Sequence, residues 1–269
     1  MELNVVVTEA AGQAHPTPVV FVHGAWNGAW CWTEHFTQAF ADAGFTSYAI
    51  DLRGHGASEG SVRTSRISHY VHDVRRLVLE LDTDPVIVGH SMGGLITQHY
   101  LSQYRAAGGV LMASVPTTGA IGATVRFASS YPGAFVRVNA TFSLWPVVDD
   151  PERAASLMFG PTMPHTEAVE YAKRLQNESY PAYLEMIADL PRASRVTDPM
   201  LVLGGQHDWL FSPSEVRATA RAYGTEAKIF GGMGHHMPLD RGWRGPADTI
   251  IEWIGQLPAT RQTPQGTDD

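Results

Sequence analysis

The sequence predicts an α/β fold, a mostly parallel central sheet flanked by helices with a helical cap inserted into it. From residue 3 to about 116, strand-like and helix-like segments alternate, as they do where parallel strands are joined by crossover helices. An apolar run, Pro85 to Val88, stops at Gly89-His90-Ser91-Met92-Gly93 and restarts as helix-like sequence. Residues 117 to about 197 then contain no strand-like run, and Pro132, Pro146, Pro151, Pro161, Pro164, Pro181 and Pro191 punctuate a helical stretch before strand-like sequence resumes at Pro199.

Leu3 to Thr8 reads as the opening strand, and Val19 to Val22 as a buried strand ending at His23-Gly24. A helix over Trp30 to Ala43 closes on Gly44, a C-cap signal. Thr46 to Ile50 forms the next strand and ends at Asp51. Ile67 to Leu81 places Ile67, Val71, Val74, Leu77, Val78 and Leu81 on one helical face. The strand Pro85 to Val88 leads into Ser91 and a helix carrying Leu95, Ile96, His99 and Tyr100, and Gly109 to Val115 is the last strand before the cap. Beyond it follow a strand at Met200 to Leu203, a helix over Ser214 to Ala222, a strand over Ala227 to Phe230 and an amphipathic helix from about Ala247 to Leu257. The expected organisation is a core built from 1–116 and 198–257, split by a cap at 117–197, with a flexible polar tail at 258–269.

A chain of 269 residues with 44% hydrophobic residues has material for one sizeable core. The net charge of −8 argues against an electrostatic footprint for nucleic acid. Cys31 stands alone, which leaves no intramolecular disulfide and no multi-cysteine zinc site. Without a signal-like N-terminus or an apolar run long enough for a bilayer, a cytoplasmic protein without membrane insertion is expected. The sequence specifies no oligomeric state.

The Gly89 to Gly93 stretch reads as a nucleophile elbow with Ser91 at its tip, since a serine hydroxyl attacks only when lifted clear of the sheet within reach of a base. The base must come from a loop at the same carboxyl edge. His235, in the glycine-rich loop Gly231 to Pro238 after the last strand, is favoured, with His236 as its competitor. Asp208, which follows the strand Met200 to Leu203, can hold the imidazole tautomer. Asp51 is the alternative acid, although it could instead satisfy backbone donors of its own turn. Pro116-Thr117-Thr118 offers no carboxylate after the strand ending at Val115. Backbone donors for a developing oxyanion are expected from Met92 and from Ala25, with Trp26 less favoured. His23 reads as structural.

Ordered along the chain, His23-Gly24, Asp51-Leu52-Arg53-Gly54-His55-Gly56-Ala57-Ser58, Gly89 to Gly94, Asp208 and Gly234-His235 resemble the α/β-hydrolase superfamily over residues 3 to about 257. The stretch Val22 to Trp32 is similar to the plant methylesterase and hydroxynitrile lyase branch. The stretch Asp51 to Ser58 is similar to monoacylglycerol lipases and lysophospholipases. Dehalogenase and epoxide hydrolase branches carry an aspartate where this chain has Ser91. Hydroxynitrile lyases carry a threonine and a lysine where this chain has Gly24 and His236, and the HGGG oxyanion loop of another esterase branch is missing.

The resemblance implies a serine hydrolase acting through an acyl-enzyme, and the apolar bulk of residues 117–197, whose arginines and acids form no cluster, predicts an uncharged carboxylic ester with a modest apolar acyl or alcohol part. Trp26, Phe135, Trp145, Met158 and Trp209 are the candidate substrate-pocket residues. No cofactor is expected, and neither HExxH nor a spaced Cys/His set suggests a metal. A cofactor-free perhydrolase, a carbon-carbon bond hydrolase or lyase, and a ligand-binding protein on the same scaffold are the alternatives.

Overall fold

The structure, a computed structural model, describes residues 1–258. A seven-stranded sheet has the order β1-β3-β2-β4-β5-β6-β7. It is built from β1 (Val5–Thr8), β2 (Val19–Val22), β3 (Ser47–Ile50), β4 (Val86–His90), β5 (Gly108–Met112), β6 (Met200–Gly205) and β7 (Ala227–Phe230). Only β1 runs antiparallel, along the edge formed by β3. The central strands β2, β4 and β5 are buried at every position, which matches their unbroken apolar runs and requires helices on both faces.

Those helices are α1 (Trp30–Thr33), α2 (Phe36–Asp42), α3 (Ile67–Leu79), α4 (Met92–Leu101), α11 (Pro213–Ala222) and α12 (Arg244–Gly255). One core packs α3, α4 and α11 against the sheet. The other packs α1, α2 and α12 on the opposite face, where Phe21 stacks on Trp32 at 4.7 Å and meets Phe40 edge-on at 5.0 Å. Helix α3 buries Ile67, Val71, Val74, Leu77 and Val78, as its spacing predicts, and also Asp73. That carboxylate takes a bidentate pair from Arg53, with Nη2–Oδ1 at 2.6 Å and Nε–Oδ2 at 2.9 Å.

Between β5 and β6 lie α5 (Ile121–Ser130), α6 (Pro132–Thr141), α7 (Trp145–Val148), α8 (Pro151–Met158), α9 (His165–Ala172) and α10 (Tyr180–Ala188). Proline sits in the first turn of α6, α7, α8 and α10, where its missing N–H costs no helical hydrogen bond.

Several boundaries differ from the sequence reading, three of them near the site or at the start of the sheet. The helix expected over Trp30 to Ala43 turns a corner at His35 (φ −142°, ψ −47°), because Trp32 packs on Phe21 while His35 stacks on Trp243. The strand expected to reach Val115 ends at Met112, where Ala113 takes φ 43° and leaves the ladder. The opening strand starts at Val5 rather than Leu3. The tail expected at 258–269 lies, from residue 259 onward, outside the described residues.

The parallel register fixes the site. Val22 pairs with Ile50 and Gly89, His90 with Met112, Met112 with Leu203, and Gly205 with Phe230. The loops carrying Gly24-Ala25, Ser91, Asp208 and His235 therefore leave the same carboxyl edge, where crevices of open α/β sheets form.

Candidate active site

Ser91 joins β4 to α4 with φ 54° and ψ −116°, a conformation an L-residue holds only under constraint. The constraint is packing. A Cβ at Gly93 would collide with the carbonyls of Val22 and His23, and one at Gly24 would lie 2.9 Å from both Ser91 Cβ and His90 Nδ1. Strand, elbow and the loop after β2 thus meet at distances that only glycine permits.

His235 Nδ1–H donates to Asp208 Oδ2 at 2.9 Å, and His235 Nε2 accepts from Ser91 Oγ at 2.9 Å. Asp208 is oriented in turn by the amides of Leu210 (2.8 Å) and Phe211 (2.9 Å) on Oδ1. All three side chains are buried. Behind them, His90 Nε2–H donates to the His235 carbonyl at 2.9 Å.

The competing residues point elsewhere. His236 Nε2–H donates to Asn27 Oδ1 at 2.9 Å, and its ring lies parallel to Phe159. Burial first, then the neighbouring His235, lowers its pKa to about 3, so it stays neutral. Asp51 accepts from Ala29 N (2.6 Å), Asn4 Nδ2 (2.7 Å) and Ala57 N (3.0 Å), and so serves backbone and amide donors. His23 bridges the Gly24 carbonyl (2.8 Å) and the Leu52 amide (3.1 Å), and burial lowers its pKa to about 4.

Among the described residues, the amides of Ala25 and Met92 donate to no protein acceptor. Met92 opens α4, so its N–H also carries the positive end of the helix dipole. The Trp26 amide is engaged by Glu178 Oε2 at 3.3 Å.

Ser91 opens into a cavity of about 640 Å³, counted with its mouth to solvent. Ala25, Trp26, Leu210 and Phe211 line it from the core, and Phe127, Phe135, Val138, Val147 and Met186 from α5, α6, α7 and α10. Of the expected pocket residues, Trp26 and Phe135 are there. Trp145 is 41% exposed on the outside of α7. Met158 is buried in the core, its carbonyl accepting the His236 amide, and Trp209 turns its ring to Tyr131. Apolarity was read correctly, but Trp145 and Met158 lie on the wrong helical face and Trp209 in the loop after β6 turns away, and Leu144, Leu210 and Phe211 line the cavity instead of Trp145 and Trp209.

The sequence reading also missed a buried polar cluster beside the site. Glu178, between α9 and α10, accepts from His55 Nε2 (2.9 Å), Tyr70 OH (3.0 Å) and the Ser179 amide (2.6 Å). Burial alone would discharge both partners, but their mutual charge and hydrogen bond outweigh it, raising His55 and lowering Glu178 into a buried ion pair. Burial, then Glu178, also raises Tyr70. In sequence, Gln176-Asn177-Glu178-Ser179 looks like any exposed turn, so no signal marks it. Among the described residues no group of three or more His, Cys, Asp or Glu side chains could hold a metal ion, and no helix is long and apolar enough to cross a membrane.

Residues 19–248 match the alpha/beta hydrolase family. A monoacylglycerol lipase from Mycolicibacterium smegmatis is 27% identical over 254 residues, covering 88% of this chain and 87% of that protein. Methylesterase 3 from Arabidopsis thaliana is 38% identical over 81 residues, 29% of this chain and 30% of its own length. Among solved structures, a thermophilic esterase from Thermogutta terrifontis aligns with a TM-score of 0.76 at 22% identity, covering 94% of this chain and 93% of that one, a likeness of fold.

Proposed function

This chain belongs to the alpha/beta hydrolase family and is a carboxylic ester hydrolase, and we propose that it works through Ser91, His235 and Asp208 by way of an acyl-enzyme. The observation that carries this reading is the continuous chain Asp208–His235–Ser91, with both links at 2.9 Å and buried. Ser91 Oγ attacks the ester carbonyl carbon while its proton passes to His235 Nε2. Asp208 keeps Nδ1 protonated and stabilises the imidazolium that forms. The carbonyl oxygen, now an oxyanion, is held by the Ala25 and Met92 amides, which are fixed before the substrate arrives. Collapse breaks the bond to the alcohol oxygen, which leaves with the proton from His235. Water activated by the same imidazole then releases the acid.

The substrate we assign is an uncharged ester with a modest apolar acyl or alcohol part. The cavity lining is apolar except for Ser91, Thr124 and Tyr183, and Tyr183 OH is already spent on Thr124 Oγ1 at 3.2 Å. In this reading residues 117–197 are a cap that supplies the pocket wall, while 1–116 and 198–257 supply the chemistry.

Hydrolysis of p-nitrophenyl esters of increasing acyl length by the wild type and by Ser91→Ala tests this. The variant is expected to keep its circular dichroism spectrum and lose on the order of 10⁶ in kcat. Residual activity within about tenfold of wild type would remove Ser91 from the role.

A further inference from the structure

The peptide group between Ala25 and Trp26 is gripped at both ends by buried side chains that the chemistry above leaves unused. Its carbonyl accepts from Asn27 Nδ2 at 2.8 Å, and its N–H donates to Glu178 Oε2 at 3.3 Å. We propose that Asn27 and Glu178 are positioning residues that aim the Ala25 amide at the oxyanion. The inference rests on the reading of Ala25 as an oxyanion donor.

Neither gripping side chain can drift. Asn27 Oδ1 accepts from His236 Nε2 at 2.9 Å, so the residue next to the base is tied through Asn27 to the Ala25 carbonyl. This relay sets the spacing between the loop that delivers the base and the loop that delivers the donor. Glu178 reaches in from the segment between α9 and α10 and is held by His55, Tyr70 and the Ser179 amide. Its pairing with His55 also leaves the cluster near electrical neutrality, so it does not oppose negative charge growing nearby.

The backbone shows why a grip is needed. Trp26 has φ 65°, a conformation that an aromatic residue does not hold unaided. Besides the Glu178 contact, the Gln176 amide donates to the Trp26 carbonyl at 2.9 Å, and Trp26 Nε1 donates to the Leu144 carbonyl at 3.3 Å. On the other side, Gly24 is pressed against Ser91 and His90. With the preceding residue packed and the following peptide plane pinned, the direction of the Ala25 N–H is determined. The Ala25 N–H itself belongs to the Gly24–Ala25 peptide, so the grip acts through the shared Ala25 Cα: freed of Asn27, that Cα can shift and turn the donor off line. An oxyanion donor acts on charge that exists only beyond the ground state, so its misalignment lowers kcat and leaves substrate binding almost unchanged.

The test uses the full chain with Asn27→Ala, Asn27→Asp, Glu178→Gln and Ser91→Ala. Three quantities are measured: p-nitrophenyl ester kinetics, thermal melting, and affinity for a trifluoromethyl ketone and the matching methyl ketone. Ser91 Oγ adds to the activated ketone carbon, its proton goes to His235, and the ketone oxygen becomes an oxyanion; the methyl ketone stays largely unreacted. Both Asn27 variants are expected to lose about 10²-fold in kcat with KM within about threefold. Trifluoromethyl ketone affinity should fall by a similar factor while methyl ketone affinity holds. Glu178→Gln, which keeps one acceptor, should show the same signature to a smaller degree. Should Asn27→Ala fail to fold, the isosteric Asn27→Asp, which keeps the acceptor for His236 but sets a carboxylate oxygen in place of the donor to the Ala25 carbonyl, carries the test. A folded Asn27 variant with wild-type kcat overturns the proposal, as does equal loss of affinity for both ketones. A folded wild type without turnover, or an active Ser91→Ala, sinks the serine hydrolase reading itself and the proposal with it.

Discussion

Three histidines, His90, His235 and His236, sit within 5.0 Å of their nearest neighbour in the group by ring centroid, yet only His235 reaches Ser91. Hydrogen-bond partners separate them. His90 supports the His235 backbone, His236 is held by Asn27, and His235 alone lies between a carboxylate and a hydroxyl. The sequence narrowed the base to two adjacent residues and favoured His235 without settling it, because which ring turns inward depends on partners that lie 27 and 209 residues away. Asp208 was legible because a strand end was due there, whereas Asn27 and Glu178 matter only through the backbone they hold. The tautomer argument gives a direct test. In Asp208→Asn an amide replaces the acceptor of the Nδ1 proton, and donation from its NH₂ favours the imidazole tautomer with Nε2 protonated, which cannot take the Ser91 proton. On the proposed mechanism kcat falls on the order of 10⁴ with the fold retained. Loss of less than about tenfold, measured with the same ester, would mean that Asp208 does not set the tautomer.

At the scale of elements, the strands were legible because a parallel sheet covered on both faces demands unbroken apolar runs, and β2 and β4 obey that demand. The inserted helices were legible as helices but not in their facing. Helices α5, α6, α7 and α10 each bury one side against the cavity or the core while Val125, Val136, Trp145 and Leu184 stay outside, and a short segment gives too few turns to fix that face from sequence. The same geometry says where acyl length is read. Val138 on α6 is 2% exposed and lines the cavity with Phe135. Val138→Phe should fill part of the space and shorten the preferred acyl chain. Each methylene excluded from an apolar pocket is worth roughly 10- to 200-fold, so kcat/KM for the longest chains the wild type accepts should drop at least about tenfold while acetate changes little. A length profile that is merely lowered in parallel for every ester would place Val138 outside the acyl path.

At the scale of the whole molecule, the buried imidazoles of His23, His90 and His236 stand in one electrostatic state and that of His55 in the opposite one, which bears on how stability depends on pH. Burial, the largest cause for each, lowers His23 to about 4, His236 to about 3 and His90 well below its ordinary value. In the unfolded chain each titrates near 6.5. Between there and pH 4 the unfolded chain takes up three protons that the folded chain refuses, so stability falls as pH falls. All three groups act in the same direction, so each withdraws stability on the acid side. His55 has the opposite sign. Despite burial, its pairing with Glu178 raises its pKa, so its contribution is complete below 6.5 and is lost as pH rises through the folded value. His55 thus opposes the lowered histidines, His35 among them. Thermal melts from pH 4.5 to 8.5 should therefore fall steadily on the acid side of about pH 6.5, with an opposing loss from His55 on the alkaline side. A melting temperature that holds level down to pH 5 would mean that the buried rings accept protons without loss of the fold, and the neutral state assigned to them here would be wrong.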